Sequence, residues 1–321
     1  MPDPVARRYL HTTIHADLAT EPHRVNGLVA IRNVLKSTPG YGMQYTFAGG
    51  MQQLTDRLAA TLTRTDIRLG TRVTAVGGAS TTAYRVATRQ GRVTREDTFD
   101  AVVAAIPHAA LADIEWRDPE LRDGMARHVA HYDRPAHYLR IAMLFDRPFW
   151  RPQMSGSWVM LDAFGGCCVY DESPAGGTHG VLGWLLAGDQ ALTCANLDDA
   201  RLADAAVAAL PDDWYHAARA GLREAKVHRW VGALSGQPGG CPLRDPDAAH
   251  RPVPAGHPRL VTVGDYLFDS TLNGVLRSAG VAARLVLDGT AATRAVRSAR
   301  PGRAFTAVEA TPALDACAAR S

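Results

Sequence analysis

The stretch from Leu260 to Leu287 constrains the fold more than any other part of the chain. Leu260-Val261-Thr262-Val263 is a short apolar, β-branched run, the pattern of a strand buried on both faces. Gly264-Asp265 ends it as a turn, and Asn273-Gly274-Val275 opens a periodic run that predicts one helix from Leu272 to Leu287. Strand, turn and helix in that order belong to an α/β layer. The helix start offers unpaired N–H groups and the positive end of its dipole. Equally informative is a missing partner. In these 321 residues no strand leads into G-x-G-x-x-G, the turn that grips a dinucleotide pyrophosphate. Gly177-Thr178-His179-Gly180-Val181-Leu182-Gly183 imitates the spacing, but a strand pattern follows it in place of a helix.

Composition excludes several function classes. With 46% hydrophobic residues the chain can bury a large core, in two expected domains. A formal net charge of +3 carries no nucleic-acid footprint. Lys36 and Lys226 are the sole lysines, which leaves almost no candidate for lysine-dependent covalent chemistry. The five cysteines (167, 168, 194, 241 and 317) include no C-x-x-C pair and read as reduced thiols of a cytoplasmic protein. No signal pattern and no apolar run of about 20 residues occurs, so neither a leader nor a membrane span is expected.

Along the chain, residues 7 to 35 read as helical up to Thr38-Pro39-Gly40. Tyr45 to Ala48 reads as a strand, followed by Gly49-Gly50 and a helix with Met51, Leu54, Leu58 and Leu62 on one face. Ile67 to Leu69 and Arg72 to Val76 read as a strand broken at Gly70, and residues 84–88 and 92–94 as a hairpin across Gln90-Gly91. Ala101 to Ile106, stopped by Pro107, has the pattern of a strand buried on both faces. Residues 138–145, 157–161, 167–170 and 180–186 read as strands of a mixed or antiparallel sheet, with helices over 202–210 and 214–222. From Ala291 onward there is little periodicity, and a flexible tail is expected.

Together these segments resemble the superfamily of flavin-containing amine oxidases and phytoene desaturases, in order over residues 5 to 288. Thr46 to Leu54 is similar to the family's Gly-Gly-Met turn and helix. Val73 matches the position whose backbone meets the adenine. Asp100 to Pro107 matches the strand that ends in Ile-Pro beside the flavin, and Pro148-Phe149-Trp150 a signature of the substrate domain. Trp230 matches a tryptophan on the strand before the last flavin segment. Gly264-Asp265 matches the turn whose acidic side chain bonds the ribityl chain, and Asn273-Gly274-Val275 the helix start facing the flavin pyrimidine. The resemblance implies an α/β fold: a discontinuous, partial glutathione-reductase-type FAD domain (43–128 and 241–290) and a mixed-sheet α+β substrate domain (helices in 1–42, then 129–240). Residues 291–321 form the tail. It implies FAD as cofactor, a small organic substrate, and a protein partner carrying the N-terminal FAD-binding half.

Four departures shape the functional expectation. The dinucleotide loop is missing, so the chain corresponds to the last two-thirds of the family fold. Arg140 stands where amine oxidases keep a lysine near flavin N5, which favours a dehydrogenase or desaturase; Arg140 reads either as a clamp for a substrate carboxylate or as an ordinary strand arginine. The aromatic pair that sandwiches an amine is replaced by Pro242 and Thr271. Gly239-Gly240-Cys241 superficially matches a motif for covalent flavin attachment, with a buried structural cysteine as the default reading.

Outside these motifs, His108 directly follows the Ile106-Pro107 turn and is a candidate for assisting proton removal, beside the plainer reading of a loop histidine. His11 and His15 lie four apart on a helix without a third ligand, and are expected on its surface with no metal. Of Cys167 and Cys168, neighbours on a strand, only one can face a pocket. No G-x-S-x-G is present, which excludes an esterase elbow. The leading expectation is a subunit or truncated form of an FAD-dependent oxidoreductase. The alternative is a redox-silent descendant acting as a binding module or cofactor-independent cyclase or isomerase.

Overall fold

A computed structural model describes residues 3–31, 47, 49–80, 83–174, 176–236, 244–268 and 271–298. Helix α1 (Pro4–Leu18) starts on an Asp3 cap, whose carboxylate accepts the Val5 N–H at 2.8 Å. It stops at Ala19, whose φ of 59° is left-handed. The helix expected from 7 to 35 is therefore interrupted; Pro22–Arg24 forms a 3₁₀ turn before a further helical turn at 27–31. Helix α2 (Gln52–Thr61) forms as predicted, yet none of its residues is buried. Of the strand expected at 45–48 only Phe47 is described, and it carries no strand assignment; Pro242 with the Gly239-Gly240-Cys241 motif lies outside the described residues.

Strands β1 (Arg72–Ser80), β2 (Ala83–Gln90) and β3 (Val93–Phe99) make an antiparallel meander, with Gly91 turning the second hairpin at φ 59°. The segment 67–69 lies outside β1, so the strand predicted on both sides of Gly70 exists only after it. Strand β4 (Val102–Ala104) leads through a 3₁₀ turn (His108–Asp113) to β5 (Glu115–Trp116), which pairs parallel to β1. Helix α3 (Pro119–Tyr132), with proline in its first turn, packs Leu121 and Met125 into one core with Trp116, Val76, Val86 and Leu260.

A second layer follows. Strands β6 (Pro135–Phe145), β7 (Trp158–Leu161), β8 (Cys167–Asp171), β9 (Gly180–Ala187) and β10 (Leu222–Ser235) form a sheet in the order β10-β6-β9-β8-β7. All its pairings are antiparallel, so the sheet expected as mixed or antiparallel is the latter. Alternate residues Leu139, Ile141, Met143 and Phe145 point into a fully buried core with Trp184, Leu186 and Trp150. Helices α4 (Gly188–Cys194), α5 (Asp199–Ala208) and α6 (Asp212–Gly221) close that core through Ala191, Leu202, Ala206 and Trp214.

The chain then returns through α7 (Pro246–His250) to β11 (Leu260–Thr262), which pairs parallel with β4, and the last described element is helix α8 (Leu272–Ser298). Two corrections apply here. Helix α8 continues through 291–298, where the tail was expected to have begun. Strand β4 is not buried on both faces: Ala104 is buried, but Val103 is 48% exposed. The pattern Ala-Val-Val-Ala-Ala-Ile describes a strand with two covers, and within the described residues β4 has one.

Candidate functional site

Strands β4 and β11 run parallel, with Leu260 opposite Val102 and Thr262 opposite Ala104. Their carboxyl ends therefore open side by side, the place where parallel α/β sheets bind ligands. Ile106-Pro107-His108 leaves one strand and Val263-Gly264-Asp265 the other, joined by a Val263 N–H bond to the Ala104 carbonyl (3.0 Å). Helix α8 starts at the same end. Thr271 takes up the N–H groups of Gly274 (on Oγ1, 3.1 Å) and Val275 (on its carbonyl, 3.0 Å). Gly274 is buried and Asn273 exposed, and the apolar side chains of Leu272, Val275 and Leu276 stand in the open. Thr271, one of the two positions read as replacing an aromatic pair, is thus a helix cap.

Behind the Gly264-Asp265 turn lies a group of rings that sequence reasoning missed. Tyr266 is buried, with its hydroxyl 3.1 Å from His128 Nε2. Tyr132 meets it edge-on at 5.0 Å and His108 lies at 5.6 Å. His128 is 2% exposed, its Nδ1 has no hydrogen-bond partner among the described residues, and burial with the nearby Arg244 charge pushes its pKa down to about 3. Burial also lowers the His108 pKa, against the opposing carboxylates of Asp133 and Asp265. Burial thus favours the neutral imidazole at His108, the form that can accept a proton. These groups come from α3, the 3₁₀ turns after β4 and β11, and no local motif; only their separate elements' return to one point brings them together.

Val73, on β1, packs with Val102, Ala104 and Ile106 in the core beneath the two strand ends. Arg140 and Trp230 stand elsewhere, on the five-stranded sheet. In its register Arg140 is opposite Leu185 and His228, and Tyr138 opposite Ala187 and Trp230. Paired residues share a face, so these side chains lie on the face away from α5 and α6. That face is partly covered by α1, whose Ala16 carbonyl accepts the Tyr138 hydroxyl (2.5 Å). Trp230 is 43% exposed and stacks on His228 at 5.8 Å. Arg140 is not a free cation: Glu172 pairs with it, and the Tyr170 ring lies 5.5 Å from its guanidinium. A clamp for a substrate carboxylate at this point has to share Arg140 with Glu172.

One further expectation is overturned. His15 is buried, with Nδ1 3.3 Å from the Gly166 carbonyl and Nε2 3.3 Å from Glu21, so it is not the surface histidine that the i, i+4 spacing with exposed His11 implied. Among the described residues no group of three His, Cys, Asp or Glu side chains could hold a metal ion. Cys167 joins the helix-covered core, while Cys168, on the opposite face, feels Asp17 of α1. Burial pushes their pKa values up to about 12 and about 11, which makes both inert thiols. Among the described residues no helix is long and apolar enough to cross a membrane.

The donor set at the strand ends fits the flavin end of FAD: a carboxylate for ribityl hydroxyls, a positive helix end for the pyrimidine edge, and exposed aliphatic side chains for ring surface. Among the described residues it does not include a pyrophosphate cradle. The solved structure of cyclohexylamine oxidase from Brevibacterium oxydans IH-35A superposes with a TM-score of 0.63 at 17% identity, covering 90% of this chain and 65% of that one. Wild-type putrescine oxidase bound to putrescine gives 0.59 at 16% identity, covering 92% and 66%. The chain thus spans just under two-thirds of the length of the structures it matches. No curated protein matches it. The profile of the flavin-containing amine oxidoreductases matches residues 19–287. The chain belongs to that family, the flavin-containing amine oxidoreductases, whose cofactor is FAD.

Proposed function

We propose that this chain forms the substrate-binding and flavin-facing part of an FAD-dependent oxidoreductase that removes hydride from a carbon next to an amine. The observation that carries this reading is the meeting of the Gly264-Asp265 turn with the start of α8 at the ends of a parallel strand pair. Residues 43–128 and 241–290 act as a discontinuous glutathione-reductase-type FAD domain. In support, one apolar core joins Val76 and Leu121 to Val253 and Leu260, while the core of the five-stranded sheet is separate. The two oxidases of similar fold are named for amines, which favours an amine or amino acid as substrate. The buried thiols Cys167, Cys168 and Cys194, unpaired in the fold, suit the cytoplasm.

FAD, when bound, supplies the hydride acceptor. The chain's own groups do the rest. Asp265 holds the ribityl side and the N–H groups at the start of α8 favour negative charge at the pyrimidine edge. Val73 offers its backbone to the adenine. Neutral His108 takes the proton of the substrate ammonium. Arg140 and Glu172, with Tyr170, Tyr138 and Trp230, form the floor on which the substrate is oriented. The pyrophosphate grip comes from polypeptide outside these residues, in our reading a second chain. The exposed apolar side chains of α2, its C-cap and β4, with Leu58 54%, Leu62 48% and Val103 48% exposed, give such a segment a surface to cover.

The test is a titration of the purified chain with FAD, alone and with a polypeptide carrying the family's G-x-G-x-x-G strand, turn and helix. A perturbed flavin absorption spectrum and co-migration with the second polypeptide are expected. A free-flavin spectrum under both conditions refutes the reading.

A further inference from the structure

A chain of hydrogen bonds that no motif announces runs beneath the Gly264-Asp265 turn. Its members are His250, at the end of α7, and Ser278, in the second turn of α8; both are completely buried. His250 Nδ1 lies 2.6 Å from the Pro246 carbonyl and Nε2 lies 2.9 Å from Ser278 Oγ. Ser278 Oγ in turn accepts the Gly264 N–H at 3.0 Å. The proton order follows from the ends. A carbonyl can only accept, so Nδ1 carries the ring proton. Nε2 is then a lone pair and takes the Ser278 hydroxyl proton, which orients the Ser278 oxygen towards Gly264. Burial lowers the His250 pKa, in keeping with the neutral ring this order needs.

We propose that His250 and Ser278 are positioning residues of the flavin site: their relay fixes the Gly264 peptide, and through it the placement of Asp265 against the start of α8. This rests on the functional reading above and deepens it. The relay ties three elements: α7 through the Pro246 carbonyl, the end of β11 through Gly264, and α8 through Ser278. The Thr262 hydroxyl adds a bond to the His250 carbonyl at 3.4 Å, on the residue that ends β11. Gly264 itself sits with extended backbone, φ 170° and ψ 166°, so its orientation is not dictated by a left-handed turn and has to be held by its bonds.

The relay is tested on the full chain without cofactor. In the unmodified protein, nitrogen-15 NMR of the His250 ring is expected to show a protonated Nδ1 and a bare Nε2. The opposite tautomer, or a charged ring at pH 7, overturns the relay, and this measurement needs no variant. In Ser278→Ala, hydrogen exchange at the Gly264 amide is expected to quicken about tenfold, the effect of one lost hydrogen bond, while the amides of β11 and of the middle of α8 keep their wild-type rates. Unchanged exchange at Gly264, or an equal rise everywhere, overturns a positioning role. Ser278→Thr, which keeps the hydroxyl, is expected to restore slow exchange. With FAD and the dinucleotide-binding polypeptide present, Ser278→Ala is expected to raise the FAD Kd about tenfold. If the wild-type chain takes up no FAD at all, the functional reading fails, while the relay still stands or falls on the ring tautomer and the exchange rates.

Discussion

Replacing Gly264 by alanine probes the candidate site directly. The backbone there is extended, so any residue could adopt its φ; the obstacle is space. A Cβ at this position would stand 2.6 Å from Cε1 and 2.7 Å from Cδ1 of Tyr266, well inside van der Waals contact. The ring cannot swing away cheaply. Tyr266 is 2% exposed, bonded through its hydroxyl to His128, and set edge-on against Tyr132. Overpacking of a buried site of this kind costs about 1–3 kcal/mol. For a chain of this size each kcal/mol lowers Tm by roughly 2–4 °C, so a fall of several degrees is expected in calorimetry or in urea unfolding followed by tryptophan fluorescence. Gly280→Ala is the control: a Cβ there meets nothing within 4 Å, and alanine in a helix interior gains up to about 1 kcal/mol. In a Tyr266→Leu background the cost of Gly264→Ala should shrink, and the double-mutant cycle measures that coupling. A Gly264→Ala variant as stable as wild type, beside a Gly280→Ala that behaves as stated, refutes the clash.

Other measurements follow from the same geometry. His128, with a pKa of about 3 in the fold, stays neutral while an unfolded histidine charges near 6.5. As pH falls below 6.5 the unfolded chain gains a proton the folded chain refuses, so this group costs about 1.4 kcal/mol of stability per pH unit down to its folded pKa. Wild type should therefore lose more urea resistance than His128→Leu between pH 7.5 and pH 5, and equal losses would contradict the assignment. Arg140→Met should change stability by no more than about 1 kcal/mol, because the Arg140–Glu172 pair is part-exposed, while raising the KM for substrate far more than it lowers kcat. Leu58→Asp with Leu62→Asp should leave the melting of the isolated chain within about 0.5 kcal/mol, as surface changes do, yet abolish co-migration with the FAD-binding polypeptide in size-exclusion chromatography.

Much of the architecture is legible where one period repeats within one element. Alternation from Leu139 to Phe145 marks β6, and the β-branched run at Leu260 marks β11. The turn at Gly91 announces its hairpin. Elements escape where their residues serve two environments. Helix α3 buries His128 and Tyr132 beside Leu121 and Met125, so its core face does not read as apolar. At the site, Gly264, Asp265 and Asn273 are visible as a strand–turn–helix junction. The ring group and the Ser278 relay are not, because each member is a single polar residue on a different element, and its role comes only from burial without water. Val103 misleads for the opposite reason: its sequence records a cover that the described residues do not supply.

The pairing of β4 with β11 also has a consequence for the order of folding. These two strands are brought together across the whole five-stranded sheet and its helices, which lie between Val102 and Leu260 in the chain. Closing so long a loop at random is slow, and loops dominated by distant contacts fold late. The intervening sheet is built from neighbouring antiparallel strands and carries its own core, so it can assemble first and deliver Arg259 and Leu260 to the waiting edge of β4. The Gly264 turn and the start of α8 are then the last parts of the molecule to take shape. They would also be the first to open, which makes the cofactor end of this protein the place where unfolding begins.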